Sequence, residues 1–132
     1  MSGLRIIEEH EWETLENFIK SEFDCKHTGE NEMSLEFLIK LQALRYALMR
    51  AMSPSSGYRA NTHPVEARKA KPGWHSAGRA VDIRCHSDFA WDIAKVAMQI
   101  GFHGIGVSQK NGIPRFIHLD DRPFEERALY SY

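Results

Sequence analysis

The chain has 132 residues, of which 42% are hydrophobic and 27% are charged, as is typical of one soluble globular domain spanning residues 1–132. Its formal net charge of −1 supplies no basic field, so we expect neither nucleic acid nor a membrane as a partner. It shows no secretory signal and no apolar run long enough to span a bilayer, which predicts synthesis in the cytoplasm.

Two helices are predicted in an N-terminal helical part, about residues 1–52. Four apolar residues recur at helical spacing within residues 9–20 and indicate a short helix: Trp12, Leu15, Phe18 and Ile19. A longer helix begins after Ser34, a good N-cap residue. Its apolar stripe predicts the buried face: Leu35, Leu38, Leu41, Leu44, Ala47, Leu48 and Ala51.

Residues 53–74 form a long connection without a periodic apolar face, and connections of that length are usually functional or disordered. The connection leads into the stretch "GWHSAGRAVDIRC". Within it Val81 and Ile83 alternate with Ala80, Asp82 and Arg84, which predicts a strand with two distinct faces.

Another helix is predicted over residues 88–100, followed by a β-hairpin. The pair Asn111-Gly112 marks the hairpin turn, because both residues tolerate a positive φ. In the second strand of the hairpin, His118 and Asp120 share one face. We expect the small residues Gly104 and Gly106 in the first strand to leave space for a substrate.

Together these elements predict an α+β domain with helices packed on one face of a small, mainly antiparallel sheet. The sheet and any site on its open face would span about residues 53–120.

The carboxylate of Asp82 is unusual inside an apolar strand. Because an unpaired buried carboxylate costs several kcal/mol, we expect it to be paired, protonated or metal-bound. His75 precedes this strand and His118 lies in another, and two imidazoles with one carboxylate suit zinc. Three protein ligands leave one coordination position open, which is the catalytic arrangement.

Each of these residues also has a structural interpretation. His75 could be a surface histidine, His118 a hydrogen-bonded core histidine, and Asp82 the partner of Arg79 or Arg84. The two cysteines, Cys25 and Cys85, form no C-x-x-C pair, so we expect free thiols rather than a thiolate metal site.

Three blocks, "SSGYR", "WHSAGRAVDI" and "GFHGIGV…RFIHLD", resemble the zinc D-alanyl-D-alanine carboxypeptidase family of peptidoglycan peptidases. The resemblance covers about residues 22–120 and is closest to the short versions carried by bacteriophages and prophages. It implies the fold shared with the hedgehog signalling domain, with one zinc ion on the open face of the sheet.

The resemblance implies a role for each matched position. His75 and Asp82 correspond to the zinc ligands of the S-x-H-x-x-G-x-A-x-D block, although Gly73 stands where the family often has serine. His118 corresponds to the third zinc ligand. Arg59, in the S-G-Y-R block, corresponds to the arginine that binds the terminal carboxylate of the substrate, for which a planar guanidinium is well suited.

The general base is where the sequence departs from the family. Several relatives carry a Glu, Asp or His a few residues before the third ligand, but here that stretch reads "NGIPRF". Asp120 is the candidate catalytic residue. It could accept a proton from the attacking water or orient a ligand, and the sequence leaves both roles open. His63 and His103 are weaker candidates.

The implied function is hydrolysis of peptidoglycan stem peptides or cross-links by a monomeric zinc peptidase. It would act on the cell wall after release or as part of a phage particle. One alternative is a zinc-stabilised module that binds the wall, or builds a phage, without cutting. Another is a cytoplasmic peptidase acting on a free D-peptide. Neither the bond cleaved nor the choice between carboxypeptidase and endopeptidase follows from the sequence.

Overall fold

A computed structural model describes residues 5–69 and 73–131 of the chain. Its centre is a five-stranded sheet whose strands are β1 (Ser53–Ser56), β2 (Ala80–Arg84), β3 (Gly104–Lys110), β4 (Ile113–Asp120) and β5 (Ala128–Ser131). Their order in space is β1-β2-β4-β3-β5. The β1–β2, β2–β4 and β4–β3 pairs are antiparallel and the β3–β5 pair is parallel. The predicted α+β class with a mainly antiparallel sheet is therefore confirmed.

The α-helices are α1 (Leu35–Leu48), α2 (Pro64–Ala67) and α3 (Ser87–Ile100), and short 3₁₀ turns cover Glu9–Thr14, Lys20–Phe23 and Phe124–Glu126. Alternate residues of β2 and β4 form the face that α1 and α3 cover. Four of these residues are fully buried in the core: Val81, Ile83, Ile117 and Leu119. The helices thus leave the other face of the sheet, which carries Asp82 and His118, for the site.

Helix α1 begins as predicted, because the hydroxyl of Ser34 accepts a hydrogen bond from the Phe37 N–H at 3.2 Å. The helix ends at Leu48, and Met49 follows in the left-handed conformation with φ 52°. Ala47 and Ala51 are consequently exposed rather than buried. Leu38, Leu41 and Leu44 are buried as predicted and Leu35 and Leu48 are partly buried, while the helix also buries Phe37 and Gln42.

The helix predicted over residues 9–20 is confirmed only in part, because a 3₁₀ helix covers Glu9–Thr14 and the chain is extended or turning from Leu15 to Ile19. Trp12, Leu15 and Phe18 do pack into the core, but Ile19 is 63% exposed. The Asn17 N–H donates to the side-chain oxygen of Gln42 at 3.1 Å, and the Gln42 amide donates back to Asn17 at 2.7 Å. The first bond satisfies a backbone N–H that a continuous helix would have paired with its own carbonyl, and the second joins the two side chains.

The connection over residues 53–74 is more structured than predicted. It contains the edge strand β1 and the short helix α2, although residues 70–72 lie outside the described part. Strand β1 contains Pro54, which an edge strand tolerates because one side of its backbone needs no ladder hydrogen bond.

The predicted hairpin is confirmed, with Asn111 and Gly112 at φ 55° and 76°. No element was predicted for the C-terminal segment that begins at Arg122, but this segment supplies the parallel strand β5 at the edge of the sheet.

Cys25 and Cys85 are both free and buried. Among the described residues, no helix is both long enough and apolar enough to cross a membrane.

Candidate metal centre

Strand pairing brings two of the predicted ligands together, since Asp82 of β2 lies opposite His118 of β4 in the antiparallel register. The segment before β2 adds His75. Oδ1 of Asp82 lies 3.1 Å from Nδ1 of His118 and 3.3 Å from Nε2 of His75, and the two nitrogens are 3.2 Å apart. One ligand atom from each of the three side chains therefore converges on a single point.

These separations fit a tetrahedral zinc ion. Zinc binds nitrogen and oxygen at about 2.0–2.2 Å, which places the ligand atoms of a regular tetrahedron about 3.3–3.6 Å apart. The observed edges of 3.1–3.3 Å are close to this spacing. The triangle therefore matches the donor set that the sequence predicts, with the fourth corner left for a non-protein ligand.

Hydrogen bonds behind the two rings fix which nitrogens face the centre. Nδ1–H of His75 donates to the Gly57 carbonyl at 2.7 Å, so its Nε2 carries the free lone pair. Nε2–H of His118 donates to Oδ2 of Asp120 at 2.7 Å, so its Nδ1 faces Asp82. Such partners are what orient metal-binding histidines.

Burial sets the electrostatics of the centre, because His75, Asp82 and His118 are each at most 4% exposed. Burial lowers the pKa of His75 and outweighs the effect of Asp82. Burial also lowers the pKa of His118, but hydrogen bonds to Asp120 and Asp82 reverse the shift and leave it raised. Burial raises the pKa of Asp82, yet the two histidines hold it well below its usual range.

Asp120 lies behind His118, on the side away from the three converging atoms. Besides His118, its carboxylate accepts bonds from Nε and Nη2 of Arg122, both at 2.8 Å, and it is fully buried. Burial raises the pKa of Asp120, but Arg122 and His118 bring it well below its usual range. The carboxylate also lies directly against Gly104, where an added Cβ would collide with it.

Arg59 contacts the centre through Asp82. Its Nη2 donates to Oδ2 of Asp82 at 3.1 Å, so that Asp82 offers one oxygen to the histidines and the other to the guanidinium. The alternative partners weighed for Asp82 are engaged elsewhere. Arg79 pairs with Asp121 at 2.7 Å, and Arg84 donates to the Pro54 carbonyl at 3.4 Å.

Glu66 of α2 was not predicted as a site residue, although its side chain is fully buried beside Arg59. Its carboxylate accepts bonds from Lys69 at 2.9 Å, from the Gly73 N–H at 2.9 Å and from the Ser76 hydroxyl at 3.1 Å. Burial raises the pKa of Glu66, but these donors lower it to about 2. Glu66 thus ties α2 to the segment that carries His75.

Tyr130 of β5 was also missed. Its ring lies 6.0 Å from the ring of His118, on the same face of the sheet. An added Cβ on Gly106 would collide with this ring. The space that Gly104 and Gly106 create is therefore filled by Asp120 and Tyr130, so the expectation that it would admit a substrate is wrong.

The two weaker candidates have other contacts. Nδ1 of His63 accepts a hydrogen bond from the Val65 N–H at 3.1 Å and caps α2. Nδ1–H of His103 donates to the Arg122 carbonyl at 2.9 Å, and its ring packs edge-on against Phe124.

A buried centre of two histidines and one carboxylate, set beside the strands of an α+β fold, has the donor set of a mononuclear zinc enzyme. Residues 13–120 match the family model of Peptidase M15, and the chain therefore belongs to this family of zinc metallopeptidases, as its resemblance to the D-alanyl-D-alanine carboxypeptidases implied. No curated protein matches the chain.

Proposed function

We propose that the chain is a zinc peptidase that hydrolyses peptide bonds in peptidoglycan stem peptides or cross-links, in the manner of a D-alanyl-D-alanine carboxypeptidase. The observation that carries the proposal is the triangle of Nε2 of His75, Oδ1 of Asp82 and Nδ1 of His118, with edges of 3.1–3.3 Å. Zinc bound there would polarise a peptide carbonyl and activate water at neutral pH.

Asp120 is better suited to orienting His118 than to accepting a proton. It contacts Nε2, the ring nitrogen that faces away from the centre, and its oxygens are already engaged by Arg122. Its pKa lies well below the usual range, which makes the carboxylate a weak base. Of the two roles left open by the sequence, we therefore propose the orienting one.

Arg59 is the proposed substrate-binding residue. Its guanidinium is 17% exposed and is held by Asp82 and by Glu66, whose Oε2 lies 3.5 Å from Nη1. A guanidinium has five N–H donors, so donors remain after both contacts. We propose that these bind the carboxylate end of the peptide and bring the scissile carbonyl towards the centre.

Tyr130 and the segment that carries Arg59 would form the walls around the substrate. Tyr130 is half-buried and packs beside His118. An aromatic side chain in that position would exclude water from one side of the bound peptide and contribute apolar contact.

The decisive experiment combines metal analysis with hydrolysis. Purified protein is expected to bind one zinc ion at the centre and to release amine-bearing fragments from peptidoglycan, and a chelator should abolish the release. His118→Ala should lose both zinc and hydrolysis. His10→Ala is the matched control, because His10 is exposed and lies outside the centre, so this variant should keep the zinc bound by His75, Asp82 and His118. Hydrolysis that persists without metal would contradict the proposal.

A second candidate is a zinc-stabilised module that binds wall peptide without cutting it. The geometry of Asp120 favours this alternative, because the predicted base is committed to His118 and Arg122. Stoichiometric zinc and peptide binding without any released amine would support it.

If hydrolysis is found, we further propose that the peptidase acts on the cell wall, either after release from the cell or as part of a phage particle, as a lysin does.

A further inference from the structure

A second concave site lies where the end of β2, the start of α3 and β4 meet the segment after α1. The cavity has a volume of about 380 Å³. Arg84 lies on its wall and is two residues beyond Asp82 in β2. Two residues along a strand cover about 6.5 Å, so this cavity neighbours the metal centre without sharing its ligands.

Three arginines line the cavity: Arg50, Arg84 and Arg115. Among the described residues no carboxylate lines it, and none of the three guanidiniums forms a salt bridge there. Because the whole chain carries a formal net charge of −1, this is a local excess of positive charge rather than a general property of the surface.

The three arginines are exposed, and their guanidiniums contact neutral groups. Arg50 lies over the ring of Phe89 at 4.0 Å, Arg84 donates from Nη1 to the Pro54 carbonyl, and Arg115 donates from Nε to the Ser108 hydroxyl at 3.0 Å. None of these contacts neutralises a charge, and each leaves further N–H donors on the guanidinium for a ligand.

The start of α3 adds to the positive potential. His86, the residue before the helix, lines the cavity, and its side chain makes no capping hydrogen bond. The N-terminus of a fourteen-residue helix presents backbone N–H groups and the positive end of its dipole. Asp88 lies in the first turn but is exposed and does not line the cavity.

We propose that this cavity binds a phosphate group. A tetrahedral phosphate can accept bonds from several guanidiniums and from a helix N-terminus together, which a single carboxylate cannot do as fully. The group can belong to inorganic phosphate or to a phosphodiester in an anionic polymer. In the second case the polymer would be held beside the metal centre. The inference depends on the arginines and not on peptidase activity.

The test titrates the zinc-loaded full chain with inorganic phosphate and, separately, with a glycerol-phosphate oligomer, while backbone amide NMR signals are followed. Saturable shifts at Cys85, His86 and Phe89 are expected. Arg84→Gln and Arg115→Gln should each weaken binding about tenfold, because each removes a charge-assisted contact. Arg127→Gln is the matched control, since Arg127 is exposed and stacks on Phe124 outside this cavity.

The two ligands distinguish the source of the phosphate. Equal affinity per phosphate group indicates a small-anion site, whereas much tighter binding of the oligomer indicates a polymer site. Shifts confined to Asp82 and His118, or no saturable binding of either ligand, would each overturn the proposal.

Discussion

The carboxylate of Asp120 accepts the Nε2–H of His118 at 2.7 Å, and this bond points the opposite ring nitrogen at Asp82. Arg122 holds the same carboxylate through two bonds of 2.8 Å. The position of one metal-ligand candidate is thus determined by a pair of residues that do not face the centre.

Asp120→Asn should therefore weaken zinc binding by about 10–100-fold, the usual cost of losing a residue that orients a metal ligand. Competition with a chromogenic chelator measures this affinity. Asp92→Asn, on the exposed side of α3, is the matched control and should bind zinc like the wild type. A variant with normal zinc affinity but greatly reduced kcat would instead identify Asp120 as the general base.

The buried carboxylate of Glu66 should make the fold sensitive to acid. Its pKa is about 2 in the folded chain and has an ordinary value of 4.5, so between these values the unfolded chain binds more protons. Stability should consequently fall as the pH falls from about 5 to 2, with a contribution of about 3 kcal/mol from this group at neutral pH.

Urea unfolding of the metal-free protein at several pH values measures this effect. Glu66→Gln should be less stable than the wild type at pH 7, and the difference should shrink as the pH is lowered through that range. Glu125→Gln, at an exposed position, should show no such convergence. A constant difference between wild type and Glu66→Gln would disprove the assignment.

Replacement of Arg59 tests the proposed carboxylate site. Arg59→Lys keeps the charge but loses the planar fork, so we expect KM for a peptide with a free carboxyl terminus to rise about tenfold while zinc affinity changes less. Peptides with an amidated carboxyl terminus should show a smaller difference between the two proteins. Arg68→Lys, exposed in the same segment, serves as control, and an unchanged KM would count against the role.

Replacement of Tyr130 in β5 tests whether its ring forms one wall of the proposed substrate site. Tyr130→Ala should raise KM by about 2–10-fold, because an aromatic contact contributes about 0.5–1.5 kcal/mol beyond area burial. Zinc affinity should be unaffected, and Tyr130→Phe should restore KM if the ring alone is responsible. Leu129→Ala alters the neighbouring residue, which is 68% exposed, and should behave as wild type. Parallel loss of zinc in Tyr130→Ala would indicate a structural role instead.

Local patterns predicted the elements that position the candidate ligands. The alternation in "RAVDIRC" and the Asn111-Gly112 turn place Asp82 and His118 on one sheet face, and β2 and β4 bring them opposite each other. The position of His75 just before β2 already made it a candidate ligand, and the resemblance of three sequence blocks added Arg59. The strands and the turn are readable because each depends on residues that are close in the sequence, whereas the pairing of β2 with β4 joins Asp82 and His118 across 36 positions and was not predicted.

The missed residues depend on contacts from outside their own elements. The carboxylate of Glu66 accepts bonds from Lys69, Gly73 and Ser76, which follow α2 without a readable pattern, although Pro64 after His63 was a signal for the start of a helix. Tyr130 reaches the site because β5 pairs with β3, and the alternation in "ALYS" was the available sign of a strand. The helix expected over residues 9–20 stops at Thr14, and beyond it the Asn17 N–H donates to the distant side chain of Gln42 rather than to a helix carbonyl.

The two oxygens of Asp82 have different partners, with the histidine nitrogens on one side and Arg59 on the other. A peptide carboxylate bound to the remaining donors of Arg59 would offset part of the guanidinium charge that faces Asp82, so the negative charge that Asp82 presents to a cation would increase. Peptide and zinc would then bind cooperatively, and thermodynamic reciprocity requires each to raise the affinity of the other by the same factor. The dissociation constant for zinc would accordingly be higher when it is measured without peptide than when peptide is bound.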